Sequence, residues 1–140
     1  MTPLETWAAF WLDLTPSTIP HARRLCTSDF HFVDPFNDLI GVPAFENLLQ
    51  HMFSALEEPR FVVDDVASGR HAGYLRWCFT ARLRQRPLVI QGMSEVGITP
   101  AGLISRHVDH WDAAQQVYAH VPILGTGIRW VRRRLSVVAS

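Results

Sequence analysis

Residues 41–68, GVPAFENLLQHMFSALEEPRFVVDDVAS, change their hydrophobic period part-way along, and that change decides the fold class. After Gly41 and Pro43 the apolar residues Phe45, Leu48, Leu49, Met52, Phe53 and Leu56 recur at i, i+3, i+4, i+7, i+8 and i+11. This is the stripe of a helix with one buried face. From Arg60 to Asp112 the period is two, and turn signals near Ser68-Gly69, Arg86-Pro87 and Pro100-Ala101-Gly102 divide the stretch into about four strands. Short strands joined by tight turns form an antiparallel meander. Helices followed by such a sheet predict one α+β unit.

Upstream, Thr2, Pro3 and Glu5 suit an N-cap, a first-turn proline and a capping-box partner, and Leu4, Trp7, Ala8 and Trp11 then follow at helical spacing. The segment TPSTIPHARRLC predicts a second short helix ending near Ser28. Residues 30–34 are expected to be extended, because Asp34 precedes a proline and is pushed out of the helical region. In the second strand of the meander, His71, Gly73, Leu75, Trp77, Phe79, Ala81 and Leu83 share the side that faces a core. In LISRHVDHWD, Ser105, His107, Asp109 and Trp111 share one face of the last strand, and alternation alone does not say whether it is the inner one. A turn of helix at 113–119 and a basic helix at about 122–135, rich in arginine, complete a single domain over 1–140 with no internal repeat.

The chain of 140 residues can bury roughly two thirds of its unfolded surface. Thirteen basic and thirteen acidic residues cancel, so no overall field draws it to nucleic acid or an anionic membrane. Every basic residue is arginine, which excludes Schiff-base catalysis and the phosphate-binding lysine of a P-loop. The widely spaced Cys26 and Cys78 predict two buried thiols in a reducing compartment. The N-terminus has acids where a signal peptide has a basic region, and no apolar run reaches membrane-spanning length, so a cytoplasmic soluble protein is expected.

In HFVDPFNDLIG, residues 31–41, Asp34 sits among Phe32, Val33 and Phe36. Desolvation there would raise a carboxyl toward neutrality and make a general base, but an Asp before a proline also forms an Asx turn with nearby backbone N–H groups. His107 and Asp109 point the same way from one strand, either as a proton carrier and its partner or as a satisfied polar pair. Trp7, Phe10, Trp11 and Phe36 can line a cavity for a flat apolar ligand or simply fill a core. Seven scattered histidines without metal-ligand spacing predict no metal, and the arginines at 129–134 suit a solvated helix face.

The order of helices, an F-x-x-D strand, a G-x-P-A-F-E-N-L-L helix and long strands ending in GLISRHVDHWD resembles the nuclear transport factor two superfamily, in its SnoaL-like and ketosteroid-isomerase-like branch. The resemblance covers residues 4–120 or so. It implies a cystatin-like cone, a curved antiparallel sheet wrapped around N-terminal helices, with an apolar pocket and dimerisation through the outer sheet face. It places Asp34 on the isomerases' catalytic aspartate. Phe10 stands where those enzymes carry a hydroxyl, and Ser94, with Glu95 beside it, near their second acid, so the isomerase oxyanion hole is not reproduced. His107 and Asp109 resemble instead the inward acid of the cyclases and epoxide hydrolases.

The pocket is therefore expected to hold Asp34, His107 and Asp109 as catalytic groups, lined by Trp7, Phe10, Trp11, Phe36, Trp77 and Trp111. Three functions stay open: a homodimeric, cofactor-free isomerase or cyclase moving a proton on a small hydrophobic carbonyl compound, a non-catalytic binder of an apolar ligand, and an assembly module using Arg76, Arg82 and Arg84 on the outer face.

Overall fold

A computed structural model describes residues 1–116 and 133–137, so the basic helix expected at about 122–135 lies mostly outside the described residues. Helix α1 (Pro3–Leu12) starts as its sequence dictates, with the Thr2 hydroxyl accepting from the Glu5 amide and the Glu5 carboxylate accepting from the Thr2 amide. It buries Leu4, Trp7, Ala8, Phe10 and Trp11. A 3₁₀ turn (Ile19–His21) leads into α2 (Ala22–Leu25), which gives way to strand β1 (Cys26–Val33) earlier than the expected end near Ser28. The reason is lateral pairing: Cys26 already opposes Ile104 of the last strand, a partner invisible to local propensity.

Strand β2 (Asp38–Ile40), which the periodicity does not reveal, returns antiparallel to β1. Gly41, at φ +97°, then turns the chain into α3 (Val42–Ala55). The long meander follows as β3 (Glu57–Ser68), β4 (Gly73–Leu83), β5 (Arg86–Ile98) and β6 (Ile104–His110), and the chain continues into a short helix α4 (Ala113–Gln116). The six strands lie in the order β2-β1-β6-β5-β4-β3 and form one curved, unclosed sheet, in which only β1 and β6 run parallel. Register shifts at Glu57/Arg60 and Val63/Asp65 in β3 and at Gly97/Ile98 in β5 bend it.

The β4–β5 hairpin closes two residues before the Arg86-Pro87 signal, on Arg84 and Gln85, both at positive φ. Pro87 is tolerated inside β5 because β6 pairs with β5 only from Met93 onward, so no ladder on that side needs its missing N–H. Beyond the reach of β6, the Gln116 side-chain amide takes the place of a strand, bonding the Gln91 N–H and C=O at 2.6 and 2.8 Å.

The odd-numbered residues of β4 face the core, with Leu75, Trp77, Phe79 and Ala81 all buried. In β6 the odd face is also the inner one: His107 is 2% exposed and Asp109 borders the hollow described below. Cys26 is buried, and burial pushes its thiol up to about 12. Cys78 differs from expectation, because its even position turns it toward the outer sheet face, where it is half-buried.

Candidate active site

Between α1, α3 and the inner face of the sheet lies an apolar hollow walled by Trp11, Phe36, Phe61, Trp77 and Trp111. Its empty space, counted out to the open mouth, is about 650 Å³. Two carboxylates, Asp34 and Asp109, reach this wall from opposite ends of the sequence.

Asp34 combines both behaviours its sequence suggests. Its Oδ1 accepts from the backbone N–H groups of Phe36 and Asn37 at 2.8 and 2.7 Å and from Asn37 Nδ2 at 3.1 Å, which makes the tight turn after Pro35. Among the described residues its Oδ2 receives only a long contact from Asn37 Nδ2 at 3.3 Å. One oxygen holds the turn and the other is much less engaged. Burial, reinforced by the negative charge of Asp109, raises the Asp34 carboxyl to about 7 against the opposing pull of those N–H donors.

Asp109 stands at the end of a relay. The Trp7 indole N–H donates to His107 Nδ1 at 2.9 Å, and since an indole nitrogen only donates, the ring proton of His107 belongs on Nε2. His107 Nε2–H in turn donates to Asp109 Oδ1 at 2.7 Å. The same oxygen accepts from Ser94 Oγ–H at 2.5 Å, and Ser94 accepts from the Trp77 indole at 2.7 Å. Asp109 Oδ2 has no hydrogen bond among the described residues. His107 is held stacked on Phe32, with ring centroids 5.5 Å apart and planes 9° apart.

Gly92 makes this packing possible. It opposes Trp77 across β4 and β5, and a Cβ there would lie 2.6 Å from the Trp77 ring. Trp11 adds one further feature: its indole N–H is buried and has no partner among the described residues, although the residue borders the hollow.

A sequence profile described as the SnoaL-like domain matches residues 7–107. The chain belongs to the SnoaL-like domain family. No curated protein matches it in sequence. Solved structures show the fold, which is that of the nuclear transport factor two and ketosteroid isomerase group. A hypothetical protein with a ketosteroid isomerase-like fold from Catenulispora acidiphila DSM 44928, solved with trimethylamine, is 14% identical with a TM-score of 0.69, over 85% of this chain and 92% of that one. An LEH-like epoxide hydrolase from M. tuberculosis is 12% identical with a TM-score of 0.68, over 92% and 93%. A provisionally assigned SnoaL-like polyketide cyclase from Jannaschia sp. CCS1 is 10% identical with a TM-score of 0.68, over 98% and 93%.

Within this SnoaL-like chain, four of the six expected ligand-lining aromatics, Trp11, Phe36, Trp77 and Trp111, do border the hollow. Trp7 and Phe10 do not. They stack on each other in the core, with centroids 5.0 Å apart, because their positions on α1 turn them toward Phe45 rather than the opening. His107 does not border the hollow either. Both of its nitrogens are engaged within the protein, so it positions Asp109. Sequence reasoning missed the buried Asn37, Phe61 on β3 and the role of Ser94. Asn37 alone had a signal, since an amide three residues after an Asp-Pro is placed to close the same turn.

Proposed function

We propose that this SnoaL-like protein is a cofactor-free isomerase- or cyclase-type enzyme that moves a proton on a small hydrophobic carbonyl compound. The single observation that supports this most is the Asp34 carboxyl, raised to about 7 in an apolar hollow with Oδ2 almost unengaged. A base matched to neutral pH abstracts a proton next to a carbonyl most effectively. Asp34 Oδ2 takes that proton and returns it at the position the product requires. Asp109, fixed by Ser94 and His107, keeps a negative charge nearby that favours the proton on Asp34.

A second reading, a pocket that binds without turnover, is supported by Phe10, which has no hydroxyl and lies in the core. In either case we propose a homodimer through the outer sheet face, where Val62, Val89 and Met93 are exposed, and a reducing, cytoplasmic setting for the two free thiols. Equilibrium sedimentation tests the dimer.

The enzymatic reading is tested with 2-tetralone as an apolar ketone probe, following α-proton exchange in deuterated water by NMR. Exchange above the buffer rate is expected, Asp34→Asn should abolish it, and Asp109→Asn should weaken it by removing the charge that favours the proton on Asp34. Undiminished exchange in Asp34→Asn would reject the mechanism, and specific binding without exchange would favour the second reading.

A further inference from the structure

The carboxylate of Asp34 is not the only thing Asn37 holds. This residue is 4% exposed, and its amide group is divided between the site and a segment about a hundred residues away. Nδ2 donates to both oxygens of Asp34, at 3.1 and 3.3 Å, and to the Leu135 carbonyl at 3.0 Å. Oδ1 accepts the Val137 N–H at 2.9 Å. Two neighbouring contacts secure the same segment: His51 Nε2–H of α3 donates to the Arg134 carbonyl at 2.6 Å, and Ser136 Oγ–H to the Phe36 carbonyl at 3.4 Å. Arg134 and Leu135 themselves border the hollow.

Residues 133–137 thus lie beside Asp34 on the border of the hollow, attached by these hydrogen bonds and by Leu135 and Val137, which pack partly buried against the core. Lifting such a short segment costs the partial burial of those two side chains, while each of its carbonyl and N–H groups finds water in exchange. When it lifts, Asn37 loses two of its partners and water gains access to Asp34. We propose that residues 133–137 form a lid over the hollow and that Asn37 is its latch, a positioning residue that makes closing the lid and setting the Asp34 carboxyl a single event. The inference rests on Asp34 being the working carboxyl.

Among the described residues, the titratable groups that line the hollow with Asp34 are Asp109 on β6, His51 on α3 and Arg134 on the lid itself. They give the test its sign. Withdrawing Arg134 removes a cation, which by itself would make Asp34 hold its proton more tightly. Hydration of the opened site acts the other way, so a fall in the Asp34 titration midpoint cannot come from losing the arginine.

The experiment is a carbon-13 NMR titration of the Asp34 carboxyl in three proteins: the wild type, Val137→Pro, which deletes the N–H that bonds Asn37, and a chain ending after residue 132. In both variants the midpoint should fall by about one pH unit or more toward the ordinary aspartate value near 4. A midpoint that stays near 7 or rises in both overturns the lid and leaves the base intact. Movement in the shortened chain alone overturns the latch. A wild-type midpoint at the ordinary value overturns the base reading and the inference together. Should the shortened chain fail to fold, Val137→Pro decides by itself.

Discussion

Replacing Asp34 with Asn should make the protein more stable at pH 8 than the wild type, and the gain should shrink as pH falls. Burial raises the Asp34 carboxyl from 3.8 to about 7. The folded state therefore binds this proton more tightly than the unfolded chain does. That contribution to stability is complete below about pH 4 and is lost as pH rises toward 7. Each pH unit of separation corresponds to about 1.4 kcal/mol, so between pH 5 and pH 8 the wild type should lose roughly 3 kcal/mol through this one group. Asn does not titrate, and its Oδ1 still accepts the Phe36 and Asn37 N–H groups that form the turn. Urea denaturation followed by tryptophan fluorescence at several pH values measures the difference between the two proteins, in which the titration of all other groups cancels to first order. A difference that does not change between pH 5 and pH 8 would show that Asp34 is hydrated in the folded protein, and the reasoning would fail.

Trp7→Phe removes the donor to His107 Nδ1 in a fully buried place. It should cost about 2 kcal/mol or more in urea melts, and nitrogen-15 shifts of the His107 ring should report a changed tautomer; unchanged shifts would refute the relay. Gly92→Ala should cost about 1 to 3 kcal/mol, because the new methyl lies 2.6 Å from the Trp77 ring. Strand propensity alone favours the opposite sign, so a stabilised variant with an unmoved Trp77 indole N–H resonance would contradict the close packing.

Periodicity placed α1, α3 and the four-stranded meander because each buries one face, and a buried face writes its spacing into the chain. The early end of α2 and the existence of β2 were not legible, since both are set by partners far along the chain or by a three-residue pairing too short to show a period. At the site, Asp34 and the His107–Asp109 pair stood out by residue type. Their roles did not, because a role depends on what each atom meets.

The sequence by itself determined which residues carry polar chemistry amid apolar surroundings, and that α1, α3 and the sheet each have one face to hide. Only the tertiary structure decided that one oxygen of Asp34 holds the turn while the other keeps a single long contact among the described residues, and that both nitrogens of His107 bond within the protein. It also decided that Asn37 joins Asp34 to residues 133–137. The physical reason is range: spacing along a chain reports which face a side chain shares with its neighbours. Hydrogen bonds and desolvation act over a few ångströms in space, between atoms that the sequence holds a hundred residues apart.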